Sequence, residues 1–144
     1  MIRSFARQAL PIVAAAFAAC AVVQVFLAGL GVFDDPSSFI RHRDFGYLFG
    51  WLTLVVLVLA LLGRQSRRLV GLSALLLVLF ALQSLLVALR VDLPAVAALH
   101  PVNGFAILAV GSVVAWMSWA VRREPAAAAT PAALSLAPSH SAAD

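Results

Sequence analysis

The chain has 144 residues, 64% of them hydrophobic and 11% charged, with a mean hydropathy of +1.05. A soluble domain of this size needs many more charges on its surface, so the composition describes an integral membrane protein. The net charge of +4 rests on arginines alone, most of them placed as membrane topology would place them, which excludes nucleic-acid binding as the reason for the basic balance. Cys20 is the single cysteine, so no intramolecular disulfide forms.

Residues 1–8 carry Arg3 and Arg7 and precede an apolar run over 9–33. That run exceeds the roughly 20 residues needed to cross hydrocarbon and predicts a first membrane helix. A cleaved signal is the rival, because Ala18-Ala19-Cys20 faintly resembles a lipoprotein cleavage site. Phe17 stands where such a site takes a small aliphatic residue, and the apolar run continues well past Cys20, so the helix is expected to be retained. Residues 34–44 form a polar turn in which Pro36 stops the preceding helix. A second helix is predicted over 45–62, ended by Gly63 and followed by Arg64, Arg67 and Arg68. A third is predicted over 69–89. After the polar break from Arg90 to Pro94 and a short apolar lead-in over 95–99, Pro101 suits the first turn of a fourth helix over 102–121. Arg122-Arg123-Glu124-Pro125 closes it, and the Ala/Pro/Ser tail over 124–144 lacks periodicity and is expected to be disordered, with His140 incidental.

The predicted architecture is therefore all-α: a four-transmembrane-helix bundle over 9–123, flanked by an N-terminal segment over 1–8 and the tail. Arg3, Arg7, Arg64, Arg67, Arg68, Arg122 and Arg123 fall on one side, and Arg41, Arg43 and Arg90 on the other. The positive-inside rule then puts both termini in the cytoplasm of a multi-pass cell-membrane protein, with Trp116 and Trp119 in the inner aromatic belt.

The chain also reads as two related halves. His42 and His100 each open a long apolar segment, each is followed four residues later by a glycine (Gly46 and Gly104), and each has a glutamine in the preceding apolar segment (Gln24 and Gln83). Alternating helix directions bring both histidines to the same outer level. Gln24 and Gln83, polar in hydrocarbon, are expected to face inward, in the outer half of the bundle. Two facing imidazoles with glycine space beneath them and cations at the rim suit a bis-histidine haem. The candidates are His42 and His100 as metal ligands, Gly46, Gly50 and Gly104 as space, Arg41, Arg43 and Arg90 as propionate partners, and Gln24 and Gln83 as orienting groups. Either His-x-x-x-Gly alone would read as helix packing; the duplication in matching order carries the ligand reading. No zinc spacing, nucleotide-binding loop or intramembrane acid is found.

The segment Gln24-Val25-Phe26-Leu27-Ala28-Gly29-Leu30-Gly31-Val32-Phe33, His42 to Gly46, Gln83, and Leu99-His100-Pro101-Val102-Asn103-Gly104 resemble a bacterial family of small four-helix membrane proteins of unassigned function, over about residues 10 to 121. More loosely, the arrangement is similar to one four-helix half of haem A synthase, whose second and fourth helices bring histidines to a haem near the outer face. That resemblance implies ligation by His42 and His100. It does not carry the enzyme's chemistry, because Pro36, Ser37, Ser38 and Phe39 stand where the enzyme has a catalytic glutamate. The expectation is a b-type haem for electron transfer or haem handling, with a membrane redox partner. The alternative is a non-catalytic module in which the same residues pack helices and assemble a partner complex in the lipid bilayer.

Overall fold

The computed structural model describes residues 1–127, with side chains to residue 120. Helix α1 spans Ile2–Phe33, α2 Ser38–Leu62, α3 Arg67–Ala88, a single-turn α4 Pro94–Ala97, and α5 His100–Ala127. Each long helix packs on two others, in the cyclic order α1, α2, α3, α5, so that α2 faces α5 and α1 faces α3 across the centre. The four long helices are apolar and long enough to cross a membrane, and they form two hairpins, α1–α2 and α3–α5. Phe26, Leu48, Trp51, Val78, Phe105 and Trp116 project outward from the bundle, which is what a chain solvated by lipid presents. The chain is a multi-pass membrane protein.

Three element boundaries differ from the sequence reading, each for a local reason. α1 begins at Ile2 rather than residue 9. Ala6 is fully buried in the core, and the Arg7 guanidinium donates from Nε to the Gly63 carbonyl at 2.9 Å, so the first two turns are held by packing that their polarity hides. α2 begins at Ser38 rather than residue 45. In the turn before it, the Ser37 amide donates to Asp35 Oδ1 at 2.9 Å and the Ser37 hydroxyl donates to Asp35 Oδ2. These donors hold the Asp35 carboxyl below its ordinary range, the hydroxyl bond first. His42 consequently lies within the second turn of α2 instead of at its mouth. α5 extends through residues 122–127, beyond the arginines expected to end it; the tail reading for residues 128–144 lies outside the described residues.

As the sequence reading expects, Gly63 ends α2; its φ is −70°, and it is Arg64 that takes the left-handed conformation, at φ 49°. Gly63 serves close approach: an added Cβ would stand 3.4 Å from Arg7 Cγ and 2.9 Å from the Leu59 carbonyl oxygen. Ser66 caps α3 by accepting from the Leu69 amide at 3.3 Å.

The core has two layers. At the end holding the α2–α3 turn, Ala6, Leu10, Ala14, Val56, Ala60, Leu69 and Val114 pack together. Nearer the histidines, Phe17, Phe49, Leu76 and Ile107 form a layer joined by the Phe17–Phe49 and Phe49–Phe80 ring contacts, each at 5.4 Å. Glycines admit these rings. An added Cβ at Gly111 would lie 2.8 Å from Phe17, and one at Gly50 would lie 2.3 Å from Phe80. Thr53, Ser73 and Ser118 are buried but return their hydroxyls to carbonyls of their own helices, so they leave no unpaired donor.

Alanine normally gains up to about 1 kcal/mol over glycine in a helix. At Gly50 the clash with a ring that Phe49 holds edge-on outweighs it, since overpacking costs about 1–3 kcal/mol. Gly50→Ala is expected to lower the melting temperature in detergent, whereas Gly29→Ala and Gly71→Ala, with nothing within 4 Å, are expected to leave it unchanged or raise it.

Candidate functional site

Each histidine is fixed by the helix that precedes it in its own hairpin. His42 Nδ1 lies 3.0 Å from the Gln24 backbone carbonyl, and His100 Nδ1 lies 3.3 Å from the Gln83 backbone carbonyl. A carbonyl only accepts, so each ring donates from Nδ1 and each Nε2 carries a lone pair. The same anchor thus recurs in both halves, and it fixes the tautomer in which a neutral imidazole serves as a metal ligand. Across the centre, the two rings meet with centroids 6.2 Å apart and planes at 64°. Both histidines are half-buried. Phe39 steadies the first of them: its ring fills the space beside Gly31 and stands edge-on to His42 at 6.3 Å.

The glutamines do different work in the two hairpins. Gln24 donates from Nε2 to the His42 backbone carbonyl at 2.7 Å, so that residues 24 and 42 bond each other reciprocally, side chain to backbone. Its Oε1 is buried and has no hydrogen-bond partner among the described residues. Gln83 instead turns its side chain to the imidazole, with Nε2 3.1 Å from His100 Nε2. The orientation of that amide follows from Asn103, whose Nδ2 donates to the Leu79 carbonyl at 2.9 Å and to Gln83 Oε1 at 2.6 Å. With its oxygen committed to Asn103, Gln83 presents its NH2 group to His100 Nε2, which accepts.

Gly46 and Gly104 lie where the sequence put them, but the room expected beside them for a flat ring is taken. An added Cβ at Gly46 would stand 2.8 Å from Gln24 Nε2, and one at Gly104 would stand 3.5 Å from Gln83 Nε2; Phe80 fills the space at Gly50. These glycines seat the glutamines and a phenylalanine. Of the rim arginines, Arg41 donates from Nη2 to Ser38 Oγ at 2.7 Å, Arg43 pairs with Asp44 at 2.8 Å, and Arg90 reaches the Val87 carbonyl at 3.3 Å. Arg41 and Arg43 flank His42 along α2, and all three arginines are exposed. The Arg43–Asp44 pair, well exposed, adds little to stability. Among the described residues no group of three or more His, Cys, Asp or Glu converges.

Asn103 was quoted in the sequence motif without being given a role. Its signal was available: it is a buried amide in a membrane helix, where a polar side chain needs a partner. The backbone anchors carried no signal, because a carbonyl is present at every position.

Residues 24–89 match a family of unknown function (DUF6220). The match starts at Gln24, includes His42, Gly46 and Gln83, and ends before His100. No curated protein and no solved structure matches the chain, so the likeness to a haem A synthase half has no support beyond the residues that first suggested it.

The two glycine seats differ in tightness, which makes them separable. Gly46→Ala is expected to push the Gln24 amide off the His42 carbonyl, at a cost of about 1–3 kcal/mol for the unpaired donor, and to lower the melting temperature. Gly104→Ala meets only ordinary contact and is expected to leave it unchanged.

Proposed function

We propose that His42 and His100 hold a b-type haem between α2 and α5, near the outer face of the membrane, for electron transfer or haem handling. The observation that carries this reading is the matched pair of Nδ1-anchored imidazoles with ring centroids 6.2 Å apart. Two imidazole nitrogens sharing one metal at about 2 Å each put their ring centres about 6 Å apart, so the spacing suits a shared ion. A haem held by His42 and His100 would supply one-electron redox chemistry when bound. The chain's own contribution is to fix the orientation of both rings through the Gln24 and Gln83 carbonyls. Arg41, Arg43 and Arg90 are the cations available to propionates, each after release from its present partner.

A second reading is favoured by a specific observation. The Gln83 amide sits on His100 Nε2, and Gln24, Gln83 and Phe80 fill the glycine seats. The same residues then form a closed polar clamp that joins the helices of a non-catalytic module, in contact with a partner membrane protein. Absorbance separates the two. The haem reading requires a low-spin α band in the protein purified with its cofactor, lost in both His42→Ala and His100→Ala; wild-type protein without that band, even after hemin is added, leaves the clamp.

The orientation rests on seven arginines at the end that holds the α2–α3 turn and both termini, which the positive-inside rule assigns to the cytoplasm. A reporter fused after Arg123 is expected to be active only in its cytoplasmic form, and activity restricted to the exterior form would reverse the topology.

A further inference from the structure

We infer that the two histidines are inequivalent: His42 offers an open ligand nitrogen, whereas His100 is closed by a latch made of Gln83 and Asn103. Asn103 is 8% exposed and spends both of its N–H bonds inside the protein, on the Leu79 carbonyl and on Gln83 Oε1. That leaves the Gln83 NH2 group as the face presented to His100 Nε2, at 3.1 Å. Opening the latch unpairs an Asn103 N–H and the Gln83 amide in an apolar interior, so the closed arrangement is the default.

The first hairpin has no such device. Three residues after His42 stands Phe45, where three after His100 stands Asn103. The Gln24 amide is committed to the His42 backbone carbonyl, and among the described residues its Oε1 has no hydrogen-bond partner and no hydrogen bond reaches His42 Nε2. A metal or a porphyrin iron entering the bundle therefore meets His42 first, and His100 joins only when the Gln83 amide swings away. Asn103 is a positioning residue that sets how readily this happens. The order of ligation rests on the reading of the pair as ligands; the difference in accessibility does not.

The test is labelling of the full-length protein in detergent, without haem, by diethyl pyrocarbonate, whose carbonyl a free imidazole lone pair attacks to give N-carbethoxyhistidine with release of ethanol and CO2, and each histidine is followed by peptide mass spectrometry. His42 is expected to react roughly tenfold faster than His100, the factor that one neutral hydrogen bond supplies. Asn103→Leu and Gln83→Leu are each expected to raise the His100 rate by about the same factor while the His42 rate stays fixed, a ratio that general loosening of the bundle would not produce. Equal rates in the wild-type protein, or a His100 rate unmoved in both variants, overturns the latch. Hemin titration then addresses the ligand reading separately. His100→Ala is expected to keep a shifted Soret band that His42→Ala loses, and Asn103→Leu to reach the low-spin spectrum faster than wild type. Failure of every form to take up hemin removes the ligand order and leaves the labelling result standing.

Discussion

The arrangement depends on one constraint: within hydrocarbon a polar side chain must find its partner inside the protein. This bundle meets it by an unusual pairing, in which a histidine near the start of one helix donates to the main-chain carbonyl of a glutamine on the antiparallel helix before it. The carbonyl lies toward the end of the preceding helix, where the ring of the next helix passes beside it, so the bond ties the two arms of a hairpin near their connecting turn. Because it recurs in both hairpins, the two rings arrive at one depth and meet at the centre. The proton that this bond places on Nδ1 leaves Nε2 as the nitrogen with a lone pair in each neutral ring.

The aromatic layer beneath the site has a complementary role. Phe17, Phe49 and Phe80 interlock across three helices and enter the backbone at Gly50 and Gly111. Rings set into glycines fix helix separation and rotation more tightly than aliphatic packing does, because a planar group leaves few alternative rotamers. The histidine pair therefore stands on a rigid floor, while above it lie the exposed arginines and the Asp35–Ser37 turn.

Helix number and the pairing of the two halves were legible because apolar length, polar breaks and a repeated His-x-x-x-Gly are properties of residue type. The glutamines were legible as inward-facing for the same reason. What stayed hidden was geometric. Pattern reading begins α1 and α2 only where polarity falls, yet Arg7 and Ser38 already belong to their helices because each finds a bond that composition does not display. Glycine was read as empty space, but the same absence of a side chain equally marks where a neighbour presses in, and at Gly46, Gly50 and Gly104 the neighbour is already there. The division of labour between Gln24 and Gln83 stayed hidden because it turns on the bonds that Asn103 makes to the Leu79 carbonyl and to Gln83 Oε1, which Phe45, its counterpart in the first half, cannot make.

The reciprocal bond between Gln24 and His42, and its relatives between Gln83 and His100, span only 18 and 17 residues of chain. Each hairpin is thus complete as a polar unit before it meets the other. During synthesis the first can enter the bilayer with Gln24 Nε2 and the His42 ring N–H already bonded, and the second can follow in the same way, so most of the strongly polar side chains cross the lipid paired. Docking of the hairpins then needs no rearrangement of hydrogen bonds, only the meeting of Phe17 with Gly111, of Phe80 with Gly50 and of one imidazole with the other.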